Sequence, residues 1–412
     1  MENDSTIFNQ FNSEEELSIY LNRTIFDNEE NGKYDFEQCV FNFDVKFKSL
    51  IREFNEIAVF KKARFKKKCS FENIIFNKQA NFNGCIFESE SNFKNTIFKE
   101  DLTISGFESF VSFKSAKFES DTFWGYTFNE IDLSFCTFKK SLDLSERQFQ
   151  GKLHLNDSVF KGDVYFKNST FENKINAWET EFQKDLIFRW ANFKKKINLT
   201  ESKIKNGLCD FYGVNFEENG YFYKTDFKEI DLKNSVIEKG IFFLGAKIKK
   251  SKRETNRIIK NQFLKQNNKI EALNFHHKEM KSYLNELLVV LPKNIVQLKF
   301  WSFFKNLSNL FILLFNFVSN GFGLWWIGGL IFLFTSTTIC FKYYLANVYT
   351  CEDISYWKYY FDFINPTHKS DFIKIEHIYI TDKASIIDFF GRIISSLGIY
   401  QTIQAFRKYG KT

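Results

Sequence analysis

The sequence predicts an all-β solenoid over most of its length, followed by an α-helical segment and an apolar C-terminal region. Three observations carry this reading. Phenylalanine recurs at alternating steps of five and six residues, the residue two places before it is small or apolar, and the beat stops after Ile248, where charged and then long apolar runs take over.

The repeat comes first, because an overlooked repeat mis-assigns the whole fold. Phe71, Phe82 and Phe93 are eleven apart, with Phe76, Phe87 and Phe98 interleaved five residues behind them. The double series returns at Phe160, Phe166, Phe171, Phe182, Phe188 and Phe193, and between the two blocks Phe118, Phe123, Phe128, Leu133 and Phe138 advance by a plain five. An eleven-residue period also suits a straight helix. There, however, a step of five turns the next Phe by roughly 140°, so the two series would not share a face. Asn, Thr, Ser and Phe fill the repeats and are indifferent helix formers.

In an extended chain, residues two apart share a face. Cys69, Ala80, Cys85, Ser91, Thr96, Ser158, Val164, Ser169, Leu186 and Ala191 each stand two before a repeat Phe, and Lys, Glu or Asn usually follows it. Each unit is therefore a short strand with two inward side chains and a polar corner, and four such sides close a coil of about 22 residues. The regular part, from about Phe60 to Ile248, is expected to stack eight or nine coils into a rod about 40 Å long.

This small-x-Phe spacing resembles the pentapeptide-repeat family, in a Phe-centred variant with alternating five- and six-residue steps. The resemblance implies a right-handed quadrilateral β-helix over residues 34 to 250. It also implies a bacterial, membrane-anchored type of protein when the repeats precede transmembrane helices.

With 55 Phe and 2 Pro in 412 residues, an aromatic stack must form the core. A buried Phe contributes about 2 to 3 kcal/mol, enough to offset the ordering of a short repeat only when coils stack on one another. Cys39, Cys69, Cys85 and Cys136 occupy the small slot two before a Phe, so they read as core residues and not as a disulfide framework. The polar opening MENDSTIFNQ is no secretory signal, which points to reduced thiols in the cytosol.

The net charge of +7 lacks the acidic balance that lets some pentapeptide-repeat proteins imitate DNA and bind type II topoisomerases. The clusters Lys66 to Lys68 and Lys194 to Lys196 read as solvated corners, so no nucleic-acid partner is expected. The beat slips at residues 48 to 59, at residues 99 to 112, and between Ile204 and Phe211, where a spacing of seven suggests a bulge. Arg147 takes a slot two before Phe149 that should be small, so its guanidinium is expected to reach outward.

Residues 1 to 33 are a looser N-terminal cap or flexible segment. Residues 251 to 305 form a C-terminal cap and linker in which Ile259, Phe263, Ile270, Leu273, Met280, Tyr283 and Leu287 recur at helical spacing. Such a helix would cover the open strand edges of the last coil. Residues 306 to 412 read as a membrane region. In it, 308 to 318 is an interfacial helix, about 324 to 345 a transmembrane helix flanked by Trp325, Trp326, Tyr343 and Tyr344, and about 385 to 406 a second span.

The second span carries Arg392, Ser396, Tyr400 and Gln404 four apart as one polar stripe, expected to face Thr335 to Thr338, while Gly391 and Ser395 permit close helix approach. Lys and Arg before the first span and at Arg407, Lys408 and Lys411, against an acidic connecting segment from Ala346 to Ala384, place the β-helix and both termini in the cytoplasm of a multi-pass inner-membrane protein.

Little of the sequence looks catalytic. His276, His277 and Glu279 lack zinc-binding spacing and read as a solvated helix face, and Ser158 with Lys161 forms an SxxK whose serine falls in an inward slot. No catalytic, cofactor or metal residue is assigned, and an enzyme is not expected. The leading expectation is a membrane-anchored interaction or scaffolding module, with membrane lipid, an unidentified protein and a second copy of the chain as partners. A channel-like protein is the alternative. It lacks a TVGYG-like filter, and the aromatic segment WKYYFDFINPTHKSDF reads as an interfacial re-entry.

Overall fold

The computed structural model describes residues 10–297, 299–350, 354–375 and 377–407. Residues 1 to 9, Cys351, Lys408 and Lys411 therefore lie outside the described residues. The described residues fall into two compact units, divided between Thr255 and Asn256.

The first unit is a β-solenoid of about ten turns built from strands of two or three residues. One face is a ten-stranded parallel sheet among the described residues. Its inward residues run Val45, Cys69, Ser91, Val111, Ile131, Leu153, Ile175, Ile197, Gly220 and Ile241, one per coil. The coils thus begin earlier than Phe60. The slip at residues 48 to 59 hid the first ones, and it is a corner widened by a short 3-10 turn over Phe47–Ser49.

The slip at Ile204 is a register shift between Ile204 and Leu208 in the strand Lys203–Asp210, which turns the corner without leaving the sheet. In the slip at residues 99 to 112, one sheet face stops at Phe87 and resumes at Phe128, with Phe107 bridging to Phe128 alone. One position in the plain-five series needs correction. Phe123 points outward and Trp124 takes the inward place, because the strand Thr122–Trp124 alternates buried, exposed, buried.

Coils close through a left-handed residue two after the central inward side chain, as at Asn73, Asn95, Asp157, Asn168 and Gly213. Asn, Asp and Gly tolerate that backbone region best, while Phe135 and Trp190 adopt it at greater cost. At the N-terminal end, the strand Gln10–Phe11 pairs with Val40–Phe41 and is followed by helix α1, Glu14–Asn31. Tyr20 of α1 packs its ring against Phe36 and Phe11 and donates its hydroxyl to the Asp35 carbonyl. Burial pushes the Tyr20 hydroxyl up to about 12, with Cys39 and Asp35 adding to the shift.

The helices α2 (Arg253–Lys265), α3 (Lys269–Val296), α4 (Phe300–Asn320), α5 (Trp326–Leu345), α6 (Tyr356–Ile364) and α7 (Asp382–Phe406) follow. The second unit is built from them, starting within α2. The expected helical pair is α2 and α3, although Ile270 is exposed and Ala272 and Phe275 are buried in its place. The expected interfacial helix starts well before residue 308, because Phe300 to Leu307 continue the helical pattern.

Helices α5 and α7 run antiparallel in close contact. A Cβ on Gly329 would meet Thr402, and one on Gly398 would meet Leu333. Between them, α6 buries Tyr359, Tyr360 and Phe363 against Phe341 and Tyr344. Among the described residues, α5 is the one helix whose length and composition suit a bilayer crossing, and its 20 residues extend about 30 Å. Asp388 and Arg392 interrupt the apolar run of α7.

Candidate functional site

The twelve repeat phenylalanines named from sequence, Phe71 through Phe98 and Phe160 through Phe193, are all buried. They stack along the axis in ladders: Phe71 on Phe93 at 4.9 Å, Phe76 on Phe98 at 5.1 Å, Phe160 on Phe182 at 5.1 Å and Phe171 on Phe193 at 5.2 Å between ring centroids. Stacked pairs add about 0.5 to 1.5 kcal/mol beyond the area they bury. These residues hold the rod together.

The small slots hold a second, polar ladder. Thr96 Oγ1 donates to the Phe71 carbonyl at 2.9 Å, Ser158 Oγ to Leu133 at 2.6 Å, Ser169 Oγ to Leu144 at 2.8 Å and Thr180 Oγ1 to Leu155 at 2.7 Å. Cys85 and Cys136 make the same bond through sulfur, to Phe60 at 2.8 Å and Phe113 at 3.0 Å. Burial pushes both thiols well above the usual range, so they are core donors and poor nucleophiles. Ser158 is buried and committed to Leu133, which removes the SxxK serine from any solvent-facing chemistry.

The outer faces carry charge ladders between coils. Lys68 meets Glu90 at 2.8 Å, Lys194 meets Glu172 at 2.9 Å, Lys224 meets Glu201 at 2.9 Å and Lys205 meets Glu181 at 2.7 Å. Such exposed pairs stabilise little, so they read as surface pattern. In the cluster Lys194 to Lys196, Lys196 lies over the Tyr221 ring at 5.7 Å. Arg147 is only partly exposed, and its Nε is buried without a hydrogen-bond partner. Its guanidinium lies 4.5 Å from the Tyr126 ring and donates to the carbonyls of Ser145 and Trp124 at 2.7 and 3.1 Å.

Sequence reasoning missed the exposed aromatics Phe123, Tyr126, Trp178 and Trp190. Their signal is positional: each falls off the two inward slots of its repeat.

Residues 60–106 match the family model for pentapeptide repeats, in nine copies. The coils in that stretch are pentapeptide repeats. No curated protein and no solved structure matches the chain. The solenoid accounts for the first unit, and the second unit has its own candidate residues.

There, the helix-packing residues read from sequence distribute differently than expected. Thr337 and Thr338 meet the Tyr360 hydroxyl of α6 at 3.0 and 2.9 Å, and Thr335 bonds back to the Ile331 carbonyl of its own helix. The stripe does not face them. Arg392 pairs with Asp388, Ser396 bonds to the Arg392 carbonyl, Tyr400 is exposed, and Gln404 accepts from Asn320. The buried face of α7 lies one position away, through Asp388, Gly391, Ser395, Gly398 and Thr402. Small residues there let neighbouring helices approach. Gly391 makes room for the Phe363 ring of α6, and Ser395 is fully buried.

At the centre of this packing, His368 Nε2 lies 2.6 Å from Asp388 Oδ1, and Arg392 donates to Asp388 Oδ2 at 2.7 Å. On α3, His276, His277 and Glu279 are not the solvated face expected. Glu279 is buried against Lys260 of α2 at 2.7 Å, and His277 Nδ1 lies 3.0 Å from the Gly321 carbonyl. Pairing of α2 with α3 draws that face inside. Burial, with Lys260 nearby, holds the His276 imidazole below its usual range.

Among the described residues, no group of three or more His, Cys, Asp or Glu could hold a metal ion.

Proposed function

We propose that the chain is a membrane-anchored pentapeptide-repeat protein whose solenoid acts as a protein-interaction or scaffolding module without catalysis. The observation that carries the anchor is the exposed apolar surface of the helical unit. Trp301, Phe304, Phe311 and Val318 on α4, Ile331, Phe334 and Ile339 on α5, and Phe389, Phe390, Leu397 and Ile403 on α7 all face outward. In water, so many large apolar side chains would drive aggregation, whereas in lipid they are at home. The polar contacts of the same unit, Thr337 with Tyr360 and His368 with Asp388 and Arg392, lie between its helices.

In this reading α5 and α7 form a hairpin across the membrane, with α6 returning between them and the solenoid and both termini on the cytoplasmic side. The solenoid offers flat faces of interleaved Lys and Glu to a partner, and a rigid rod presents them with little ordering cost. The test is charge reversal of Lys194, Lys195 and Lys196 in the full chain, with in-cell crosslinking as readout. A scaffold loses its crosslinked partner on reversal while the chain stays in the membrane fraction. An unchanged pattern of crosslinks overturns that face as the docking surface.

A further inference from the structure

We propose that the solenoid associates side by side with a second copy of this chain, the lysine-bearing face of one copy lying against the aspartate-bearing face on the opposite side of the next. The proposal rests on the interaction reading above, names a partner for it, and is independent of the membrane anchor.

One coil makes four strands. From Leu153–His154 the chain passes Val159–Phe160, Val164–Tyr165 and Thr170–Phe171 before it returns at Ile175–Asn176, so the strand Val164–Tyr165 lies across the coil from Leu153–His154. On the first of these two opposite faces, Leu153, Ile175, Ile197, Gly220 and Ile241 pair rung upon rung in the inward slot. The outward positions that flank them hold Lys152, Lys174 and Lys196, then a histidine, amides and aromatics, and no Asp or Glu. Glu130, one coil earlier, reaches Lys152 at 3.6 Å and His154 at 3.4 Å. Lys196 lies over Tyr221, and Lys174 has no acidic partner among the described residues.

Across the coil, Leu102, Thr122, Leu142, Val164 and Leu186 take the inward slot. The outward positions that flank them hold Asp101, Asp121, Asp143, Asp163 and Asp185, and no Lys or Arg, in a chain whose net charge is +7. Among the described residues, none of these five carboxylates forms an ion pair. Asp143 Oδ1 accepts from the Ser145 N–H at 2.9 Å, Asp163 Oδ1 from the Asp185 N–H at 3.0 Å and Asp185 Oδ1 from the Leu208 N–H at 2.8 Å, bonds that position the carboxylates without neutralising them. Burial, with Asp163, Asp185 and Asp143 close by, raises the Tyr165 hydroxyl above its usual range. Lys167 caps the ring of that tyrosine at 4.8 Å.

Like charges on neighbouring rungs repel, since the strands stand about 4.8 Å apart. Elsewhere the solenoid cancels that repulsion within itself, through pairs between coils such as Lys68 with Glu90 and Lys224 with Glu201. The two opposite faces leave it uncancelled. Both ladders climb by whole coils, so lysines on successive rungs of one copy meet carboxylates on successive rungs of another at one common spacing. Each copy carries one face of each sign on opposite sides, so the contact is heterologous and extends into a row instead of closing into a two-fold dimer. A soluble anion or a lipid would use the lysine face alone and leave the aspartates unpaired.

The test follows the mass of the full chain in detergent by light scattering across a range of salt. The parent is expected to exceed one copy at low ionic strength, with an apparent dissociation constant that rises about tenfold or more as salt screens the ladders. Lys152→Glu with Lys174→Glu makes both faces negative, and Asp121→Lys with Asp143→Lys makes both positive, so each double variant alone should associate about 30-fold more weakly. Mixed in equal amounts the two should associate again, because each supplies the face that the other lacks, and a merely damaged fold would not give that rescue. A parent that is a single copy at low salt, reversals that leave association unchanged, or a mixture no larger than its parts would overturn the pairing of copies. The scaffold reading keeps its own readout in that event, the crosslinks to other proteins.

Discussion

The rings of Phe160 and Phe182 lie 5.1 Å apart and 5° from parallel, although 22 residues separate them in the chain. That spacing is one coil. It shows why a repeat too short to fold alone persists: each ring completes its burial only when the next coil arrives. Phe182→Ala removes a ring from the middle of the ladder and is expected to destabilise the solenoid by about 3 to 5 kcal/mol. Denaturant unfolding of the full chain checks this, and a loss below that of a surface Lys→Ala control would contradict it.

Ser158 is the hub of the polar ladder, because its hydroxyl donates to the Leu133 carbonyl and also accepts from the Cys136 N–H at 2.9 Å. Ser158→Ala leaves both buried backbone groups without that partner and should cost about 1 to 3 kcal/mol. Ser158→Cys should cost less, since Cys85 and Cys136 donate to the matching carbonyls through sulfur. A thermal melt comparing the two variants reads the difference. Equal losses would mean that packing, and not hydrogen bonding, sets the slot.

The repeat could be read because its two inward slots and its polar corner are local, and a period-two pattern needs no tertiary information. Where the beat failed, reading failed with it: the 3-10 corner at Phe47–Ser49 concealed the first coils, and Phe123 masked the inward Trp124. In the helical unit, composition located α2 to α5 and α7, but not their partners, and it read the segment of α6, Tyr356–Ile364, as an interfacial re-entry. The polar stripe at Arg392, Ser396, Tyr400 and Gln404 looked like a packing face, yet the buried face runs through Gly391 and Ser395, the small residues read from sequence as permitting close approach. The Asp388 network needed His368, twenty residues away and on no helix, which no periodicity announces.

Asp388 bonds His368 through one oxygen and Arg392 through the other, and is itself buried. Asp388→Ala is expected to destabilise the helical unit by about 3 to 5 kcal/mol, because it leaves the buried side of that network uncompensated. His368→Ala in the Asp388→Ala background should then add little. Additive losses in thermal unfolding of the detergent-solubilised chain would show that the two residues act independently.

His276 is held below its usual range in the fold, chiefly by burial. The unfolded chain therefore binds the proton first as pH falls, so the stability of the helical unit rises with pH in that window. Its melting temperature should stay level above about pH 6.5 and drop below it. His276→Gln should flatten that drop. A variant with the same acid profile as the parent would assign the loss to other groups.

The central claim is that the helical unit holds the solenoid at a membrane. The direct measurement expresses the full chain in cells, strips the membranes with alkaline carbonate and asks which fraction contains it. The apolar outer surfaces of α4, α5 and α7 predict that the chain stays in the pellet and leaves it only with detergent. Release into the carbonate wash would mean that those surfaces are covered by protein instead of lipid, and would contradict the account.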